Sequence, residues 1–450
     1  MPAQRSIETI VAIATGAARA GIGVLRLSGP QARRIGETVL GRRLVPRRVQ
    51  HGQFMDRNGE AIDDGIALYF RGPRSYTGED VVELQAHGAP TVLARLLRRC
   101  LQLGARAARP GEFTERAFHN GKLDLAQAEA VADLIAAGSE AAARAARRSL
   151  DGEFSRRVEA VTEHLVGLRT YVEAALDFPD EDIDFLAAPE LGARLQATRT
   201  ALAALRADAA RGQRLLDGLH VVIVGAPNAG KSSLLNALAG SERAIVTEHA
   251  GTTRDLVRET LDLEGLQITL VDTAGLRAAP DAIEAEGIRR ARAELARADL
   301  ALAVLDATAP DAAETLAAEL AAVPRVLWLH NKADLSGDAA RVEARSDGMH
   351  LWLSARTGDG LEHLRTQLHA LAAGEDATAG GSFSARQRHL DALGRAAAAL
   401  GAAAQRLDEE AAELAAEDLR AAQAALGEIT GTFDAEQLLG RIFAGFCIGK

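Results

Sequence analysis

The segment from Gly225 to Ser232 carries the clearest chemical signature in the chain. It reads GAPNAGKS after the apolar run VVIVG, which fits the spacing G-x-x-x-x-G-K-[ST] between a strand and a helix. Its glycines let backbone N–H groups approach phosphates, and the start of the next helix favours negative charge. Lys231 is expected to reach the β- and γ-phosphates, and the Ser232 hydroxyl to bind Mg²⁺. A glycine-rich strand-to-helix turn without a ligand is the alternative for this segment alone.

Three later motifs favour a nucleotide. Asp272-Thr273-Ala274-Gly275 ends the apolar run ITLVD, where a carboxylate can hold the water shell of a metal and the Gly275 amide can meet a γ-phosphate. Asn331-Lys332-Ala333-Asp334 follows VLWLH, and the Asp334 carboxylate can accept two hydrogen bonds from guanine but not from adenine. The backbone amides of Ser354-Ala355-Arg356 are placed to contact the guanine carbonyl. This order of motifs predicts a guanine-nucleotide site.

The segment Gly251-Thr252-Thr253-Arg254-Asp255 lies between the first two motifs. Thr253 is the natural second Mg²⁺ ligand, engaged only when a γ-phosphate is present, which predicts a switch loop. A polar turn with a helix cap is the alternative.

The residue after the Asp272 motif cannot orient a water molecule. Many small GTPases place a glutamine there, whereas this chain has Leu276. Glu284 or Glu286 could take that role, and the residues alone do not separate the two. Asn228 offers a neutral oxygen to a monovalent cation that would act like an arginine finger, and Thr247, Thr252 and the carbonyl of His249 could complete its cage.

These motifs must be positioned by several domains. A chain of 450 residues predicts about three at roughly 150 residues each. Its net charge of −10 argues against a protein that coats nucleic acid non-specifically, although local basic patches are compatible with it. Cys100 and Cys447 are too few for a disulfide framework or a four-cysteine zinc site. Neither a secretory signal nor a membrane span is apparent, so a cytoplasmic protein is expected.

The first 118 residues predict an α/β domain. Strands are expected at 22–27, 61–70 and 81–85 and a helix at 91–103, and Asn58-Gly59 is a hairpin signal. Helical spacing of Ala, Leu, Glu and Arg dominates 122–211, broken by the acidic segment DFPDEDIDF, and returns after the Gly-rich stretch 374–382 to about Ile429. Alternating strands and helices begin at His220 between these flanks. One helical domain built from both flanks, with an α/β block inserted, is the economical interpretation.

The chain resembles the bacterial tRNA-modification GTPase family MnmE, also called TrmE. The resemblance covers nearly the whole sequence and rests on these segments: GIGVLRLSG, SYTGEDVVELQAHG, ARPGEFTERAFHNGKLDLAQAEAVADLI, YVEAALDFPDEDIDF, GAPNAGKSSLLNALAG, AIVTEHAGTTRD, DTAGLR and LLGRIFAGFCIGK. It implies an N-terminal folate-binding and dimerisation domain over 1–118, a helical domain over 119–218 and 379–450, and an inserted Ras-like P-loop GTPase domain over 219–378 with a parallel-rich sheet.

The resemblance also implies a mechanism. K⁺-dependent dimerisation of the nucleotide domains would activate GTP hydrolysis, with K⁺ on Asn228, Thr247, His249 and Thr252, Mg²⁺ on Ser232 and Thr253, and Glu284 as the water-positioning residue in preference to Glu286. The implied nucleotide contacts are Asn228, Ala229, Gly230, Lys231, Ser232, Ser233, Thr247, Glu248, His249, Ala250, Gly251, Thr252, Thr253, Asp272, Thr273, Ala274, Gly275, Asn331, Lys332, Ala333, Asp334, Ser354, Ala355 and Arg356.

The implied biological role is modification of the tRNA wobble uridine. The homodimer would join the FAD-containing flavoprotein MnmG, also called GidA, in a heterotetramer that adds a carboxymethylaminomethyl-type group to carbon 5. The carbon would come from 5-formyl- or 5,10-methylene-tetrahydrofolate, held by Arg26, Glu83, Lys122 and Lys450. Cys447 is a candidate for one-carbon chemistry, although a lone cysteine is more often a small buried apolar residue. The alternative function is a regulatory or ribosome-assembly GTPase without modification chemistry.

Overall fold

The structure is a computed structural model that describes most of the chain. The described residues are 8–16, 18–177, 189–239, 258–263, 266–272, 295–296, 298–309, 313–321, 323–373, 383–432, 439, 442–443, 445–446 and 449. They divide between two units. The first comprises Met1–Ala132, Leu150–Leu202 and Ala392–Lys450, and the second comprises Asp133–Ser149 and Ala203–Asp391.

The first unit contains a six-stranded sheet in the order β3-β4-β5-β2-β1-β6. Its strands are β1 (Ile10–Ile13), β2 (Ala20–Ser28), β3 (Gln50–Met55), β4 (Ala61–Phe70), β5 (Val81–Gly88) and β6 (Arg106–Ala107), with helices α1 (Ala32–Leu40) and α2 (Pro90–Gln102). Neighbouring strands are antiparallel except β1 and β6. Buried side chains of β2 and β5 form one core with Ile35 of α1 and Leu96 of α2.

The predicted elements of this region are confirmed. Burial alternates along β4, which is the pattern of a strand with one face on a core. The predicted hairpin turn lies between β3 and β4, where Gly59 takes a φ of 79° and Asp56 accepts the amides of Asn58 and Glu60.

Helices follow on both sides of the nucleotide-motif region. They are α3 (Glu112–His119), α4 (Leu125–Ala136), α5 (Glu140–Leu150), α6 (Glu153–Asp177) and α7 (Pro189–Asp217), and then α12 (Gln387–Asp408) and α13 (Ala412–Thr430). Within the first unit, Arg169 of α6 hydrogen-bonds to Gln423 of α13, and Arg420 of α13 pairs with Glu173 of α6 at 2.8 Å. The expected helical body from both flanks is therefore confirmed.

The second unit contains a seven-stranded sheet in the order β12-β13-β11-β10-β7-β9-β8. Its elements are β7 (Leu219–Gly225), α8 (Lys231–Ala239), β8 (Arg258–Leu263), β9 (Leu266–Asp272), β10 (Leu300–Asp306), α9 (Ala313–Leu320), β11 (Val326–Asn331), α10 (Ala333–Ser336), β12 (Arg341–Arg345), β13 (Gly348–Trp352) and α11 (Leu361–Ala373). The five inner strands are parallel, and β8 and β12 are antiparallel to their neighbours.

Alternation along β7 shows that both faces of this sheet are covered. Val221 and Ile223 pack into one apolar cluster that contains Leu234 of α8, whereas Val222 packs into another with Leu316 of α9. Strands buried on both faces are nearly continuously apolar, as β10 is. The predicted parallel-rich sheet with helices on both faces is confirmed.

None of the helices in the described part of the chain combines the length and apolar character that crossing a membrane requires.

Candidate functional site

The carboxyl ends of the parallel strands bring several predicted residues to one edge of the second sheet. Gly225 at the end of β7 lies beside Val304 of β10, and Asp306 at the end of β10 lies beside Asn331 of β11. Asp272 ends β9 opposite Ile223 of β7. Ligands of open α/β sheets bind outside the carboxyl ends of the strands. This edge is therefore the candidate nucleotide site.

The loop after β7 has the backbone geometry that close approach to a phosphate requires. A Cβ on Gly225 would lie 2.3 Å from the Val304 carbonyl oxygen, so this strand end admits only glycine. Asn228 and Gly230 take positive φ values of 63° and 92°. The buried Lys231 donates from Nζ to the carbonyls of Gly225 at 3.0 Å and Ala226 at 2.8 Å. Its ammonium is thereby held at the loop by neutral acceptors.

The start of α8 presents two hydroxyl side chains to solvent. Ser232 and Ser233 are exposed in the first turn of this helix, directly after Lys231. Unpaired amides and the helix dipole make such a turn favourable for negative charge. The first predicted Mg²⁺ ligand, Ser232, is therefore accessible to a phosphate-bound metal.

Asn331 connects the phosphate loop to the loop after β13, which carries Ser354-Ala355-Arg356. Its buried side chain donates from Nδ2 to the Ala229 carbonyl at 2.9 Å and accepts on Oδ1 from the Ala355 amide at 2.9 Å. A Cβ on Gly230 would lie 2.2 Å from that Nδ2. One amide group therefore fixes the separation between the phosphate-binding and base-binding ends of the site.

Lys332 pairs with the carboxylate at the end of β10. It takes a φ of 65°, and its Nζ lies 2.6 Å from Asp306 Oδ2. Hydrogen bonds from Lys332, and then from Thr308, lower the pKa of Asp306 to about 2. Asp334 lies two residues further on, in α10, and is exposed, so its carboxylate is open to a base.

The loop after β13 uses two of its three predicted amides within the protein. The Ser354 amide donates to the Asp359 carbonyl at 2.9 Å, and the Ala355 amide donates to Asn331. The Ser354 hydroxyl accepts the Thr357 amide at 3.2 Å, which closes the turn. A guanine carbonyl at this loop would therefore share the Ala355 amide or meet that of Arg356.

Part of the predicted site lies outside the described residues. This part comprises Thr247, Glu248, His249, Ala250, Gly251, Thr252, Thr253, Thr273, Ala274, Gly275, Glu284, Glu286, Cys447 and Lys450.

A ladder of stacked rings beside Asn331 was not predicted from the sequence. His330 stacks on Trp352 with ring centroids 4.3 Å apart, and Trp328 stacks on His350 at 5.9 Å. His330 Nε2 and His350 Nδ1 lie 3.0 Å apart, and His350 Nε2 lies 3.0 Å from Asp347 Oδ1.

The ladder holds His330 in its neutral form. Burial is the largest cause, followed by His350, Arg345 and Arg341, and together they lower the pKa of His330 to about 4 despite the opposing charge of Asp338. Strand β11, which leads into the Asn331 motif, thus carries a neutral imidazole.

A second candidate site lies on the sheet of the first unit. Arg26 of β2 and Glu83 of β5 are register partners and form an ion pair at 2.9 Å. The Arg26 guanidinium lies 5.5 Å from the ring centroid of Tyr76 and 5.9 Å from that of Phe113. Lys122 donates from Nζ to the Pro73 carbonyl at 3.2 Å. Three of the four predicted folate residues are therefore described, and two of them are in contact.

The C-terminal tail reaches the same sheet. Gly449 is buried with a φ of 101°, and a Cβ on it would lie 2.4 Å from the Ile13 carbonyl oxygen at the end of β1. Phe443 and Phe446 pack against Leu125 of α4. Ala12, the residue before Ile13 in β1, is the register partner of Arg26, so Gly449 lies beside the strand that is paired with β2.

A buried carboxylate beside this site was missed. Glu112 accepts hydrogen bonds from Arg106 at 2.7 Å, from the Arg109 amide at 2.8 Å and from Arg116 at 3.0 Å. Burial alone would raise the pKa of Glu112, but these donors lower it to about 2. The spacing of Glu112 and Arg116, four residues apart in a helix, was the available sequence signal.

Lysine usage was a second missed signal. Of 52 cationic side chains, only four are lysines, namely Lys122, Lys231, Lys332 and Lys450. An ammonium is a compact charge that the planar guanidinium does not replace. In a chain that otherwise uses arginine, each lysine is a candidate for a position that needs an ammonium, and Lys122 and Lys450 are both among the predicted folate residues.

Comparison with known proteins gives consistent matches over the chain. Residues 125–447 match the MnmE helical domain family, and residues 9–122 match the family described as GTP-binding protein TrmE N-terminus. The tRNA modification GTPase MnmE of Xanthomonas campestris pv. campestris strain B100 is 59% identical, over 99% of both chains. That of Pseudomonas paraeruginosa strain PA7 is 55% identical, over 99% of this chain and 100% of the relative. The solved G domain of the T. maritima FeoB iron transporter is 25% identical and covers 34% of this chain and 98% of its own, with a TM-score of 0.28.

Proposed function

The chain belongs to the MnmE family of tRNA modification GTPases, and on that premise we propose that it is a K⁺-activated GTPase that works with the flavoprotein MnmG. GTP hydrolysis in tRNA modification comes with the family. The proposed parts are the potassium dependence, the one-carbon donor, the homodimer, the partner and the product, which is a carboxymethylaminomethyl group on carbon 5 of the wobble uridine. The domain boundaries proposed with it are 1–118, 119–218, 219–378 and 379–450.

The bridge made by Asn331 is the observation that carries the nucleotide part. It links the phosphate loop to the loop of Ser354. In the phosphate loop, the Lys231 ammonium lies 2.8 Å from the Ala226 carbonyl oxygen. The exposed carboxylate of Asp334 lies three residues after Asn331 in the sequence. Phosphate donors at one end and a base-selective carboxylate at the other fit a guanine nucleotide.

Hydrolysis would depend on a cation in place of an arginine finger. Asn228 lies in the phosphate loop and is exposed, so its side-chain oxygen is accessible to a cation. Thr247, His249 and Thr252 are the other proposed K⁺ ligands, with Mg²⁺ on Ser232 and Thr253 and the attacking water positioned by Glu284. Potassium there would supply positive charge that offsets the negative charge developing on the leaving phosphate.

The N-terminal site would hold the tetrahydrofolate donor. Arg26 and Glu83 lie together, aromatic rings flank the guanidinium, and the tail that ends in Lys450 returns to β1. The charge pair suits the polar edge of a pterin, and Lys122 and Lys450 suit the carboxylates of its glutamate tail. A folate bound there would supply the one-carbon unit, either as the 5-formyl or the 5,10-methylene form.

Hydrolysis of GTP by the full chain in K⁺ and in Na⁺, at equal ionic strength, tests the cation proposal. We expect a faster rate in K⁺ and a smaller difference in an Asn228→Ala variant. Equal rates in the two salts would reject a potassium site.

A regulatory or ribosome-assembly GTPase is the competing function. Mass spectrometry of wobble nucleosides from cells that lack this chain separates the two, because the proposed function predicts loss of the carbon-5 substituent. Nucleosides identical to those of the parent strain would favour the assembly GTPase.

A further inference from the structure

Six exposed arginines lie on two adjoining loops of the first unit. We propose that this arginine surface binds the phosphate backbone of the tRNA substrate, an inference that rests on the proposed function in tRNA modification. The arginine surface consists of Arg42, Arg43, Arg47, Arg48, Arg71 and Arg74.

The two loops are fixed to one another. The first runs from Gly41 to Val49 before β3, and the second follows β4. The Arg47 amide donates to the Tyr69 carbonyl at 2.8 Å, and Arg47 Nη2 donates to the Arg74 carbonyl at 3.0 Å. The arginines therefore lie on two loops that hydrogen bonds hold in a fixed relative position.

The first loop is also anchored to the core. Leu44 is buried at 1% exposure among the apolar side chains of the sheet. Gln50 accepts the Val45 amide at 2.7 Å and donates to the Arg43 carbonyl at 2.8 Å. A loop held in this way presents its charges in a defined arrangement, which lowers the entropy lost when they bind a ligand.

Carboxylates in the described part of the chain do not neutralise the charge of the arginine surface. The segments 41–49 and 71–78 contain no acidic residue. Glu79 and Asp80 follow directly, but Glu79 accepts from Ser28 and Arg116, and Asp80 accepts from the Tyr69 hydroxyl at 2.9 Å. Among the described residues, no carboxylate forms an ion pair with any of the six arginines. Six positive charges thus collect on a chain of net charge −10.

Arginine chemistry favours a phosphate backbone as the occupant. The guanidinium donates in a planar fork that matches phosphate oxygens, and several such contacts release counterions from RNA. The surface also borders the candidate folate site, because Lys122 bonds to Pro73 in the second loop at 3.2 Å. An RNA held on these loops would therefore lie close to the proposed one-carbon donor. An anionic membrane is the competing occupant, since Val45 and Val49 are exposed between the arginines.

The test compares two triple variants of the full chain with equal loss of charge. Arg43→Gln/Arg48→Gln/Arg71→Gln removes half of the arginine surface. Arg57→Gln/Arg199→Gln/Arg206→Gln removes exposed arginines elsewhere, with Arg57 in the turn at the opposite end of the β3–β4 hairpin. Binding of fluorescently labelled tRNA is followed by anisotropy with GDP present and NaCl increasing at constant KCl. A circular dichroism spectrum and thermal unfolding curve like those of the parent show that each variant is folded, and unchanged GDP affinity shows that the nucleotide site is intact.

We expect the first variant to bind tRNA at least about tenfold more weakly. The slope of its plot of log affinity against log salt should be shallower by about 2 to 3, because each lost phosphate contact removes roughly 0.7 to 0.9 from the slope. The second variant should stay within about twofold of the parent. Equal losses in both variants, unchanged binding in the first, or no binding by the parent would overturn the proposal. So would loss of binding to phosphatidylserine vesicles with tRNA affinity unchanged, which would assign the surface to a membrane.

The surface and the proposed function fail separately. If wobble nucleosides change in cells lacking the chain while the first variant binds tRNA like the parent, the arginine surface is rejected and the function stands. If the nucleosides do not change while the first variant loses RNA binding, the function is rejected and the surface stands.

Discussion

At the scale of single residues, Asn331 shows how one side chain can join two recognition tasks. Its amide donates to the phosphate loop and accepts from the loop after β13, and only 2% of the residue is exposed. A buried side-chain amide that both donates and accepts a hydrogen bond fixes the distance between its two partners. Breaking either bond would leave a buried polar group with neither water nor protein as a partner, which is costly. The two ends of the nucleotide site are therefore ordered together.

An Asn331→Ala variant should lose both stability and nucleotide affinity. Removing the side chain leaves the Ala229 carbonyl and the Ala355 amide without their partner, which costs about 1 to 3 kcal/mol. We expect GDP affinity, measured by calorimetry, to fall at least about tenfold, since tenfold corresponds to about 1.4 kcal/mol. Asn58→Ala, in an exposed turn, is the matched control and should change neither quantity. Parental GDP affinity in Asn331→Ala would contradict the bridging role.

His330 should make the stability of the nucleotide-binding unit depend on acid. Its pKa in the folded chain is lowered from 6.5 to about 4, so between these values the unfolded state binds the proton first. The stability that neutral His330 provides is therefore complete above about pH 6.5 and is lost as pH falls towards 4. Asp306, whose folded pKa is about 2, loses its own contribution only at lower pH, below its ordinary 3.8.

The two tryptophans of the chain report this titration directly. Trp328 and Trp352 both belong to the ring ladder, and a protonated imidazole quenches a neighbouring indole. We expect intrinsic fluorescence to fall with a midpoint near pH 4 while circular dichroism still shows folded protein. His330→Phe should remove the step, and His51→Gln, at an exposed position, should keep it. A step near pH 6.5 that His330→Phe removes would mean that His330 is not held neutral.

At the scale of elements, the parallel strands explain why loop motifs far apart in sequence form one site. The apolar runs before Gly225, Asp272 and Asn331 could be recognised as strands, and their shared direction places the loops after them at one edge of the sheet. Strand identity and the meeting of the motifs at one edge of the sheet were thus predictable from residue type and spacing.

Register was not predictable in the same way. The ring ladder exists because His330 is paired with Trp352 across β11 and β13, and the Arg26 and Glu83 ion pair exists because β2 and β5 align at those residues. A shift of one residue would turn each side chain to the other face. No local pattern in the sequence specifies that choice, since it is decided by packing between distant strands.

Two glycines allow the phosphate loop to be tested as an element. Gly230 and Gly337 both have positive φ, but a Cβ on Gly230 would lie 2.2 Å from Asn331 Nδ2, whereas nothing lies within 4 Å of one on Gly337. Both alanine variants should lose about 1 kcal/mol of stability from the left-handed backbone. Only Gly230→Ala should also lose GDP affinity, by at least about tenfold, in calorimetric titration. Equal affinities in the two variants would show that the Gly230 contact does not matter for binding.

At the scale of the whole molecule, Gly449 lies against Ile13 at the end of β1, so residues far apart in the sequence meet in the first unit. Gly449 fits at Ile13 only because it lacks a Cβ, so this residue is held by close backbone contact. The described residue nearest the C-terminus thus lies on the sheet that carries the candidate Arg26 and Glu83 site.

Removing residues 447–450 should impair the candidate folate site and leave the candidate nucleotide site unchanged. We expect the affinity for 5-formyl-tetrahydrofolate to fall at least about tenfold on loss of the Lys450 charge and the Gly449 seat, with GDP affinity unchanged. Lys450→Gln should reproduce most of that loss, and Cys447→Ser should not. Parental folate affinity in the truncated chain would remove the tail from the site.

The arginine surface also affects how a polyanion approaches the protein. A chain with an excess of ten negative charges repels RNA over much of its surface, while the loops of Arg43 and Arg71 attract it, so diffusing molecules arrive already oriented. Such steering accelerates encounter and fades once added ions shorten the Debye length to a few ångströms. The arrival of tRNA is therefore expected to slow sharply in salt, whereas its release, governed by contacts already formed, changes less.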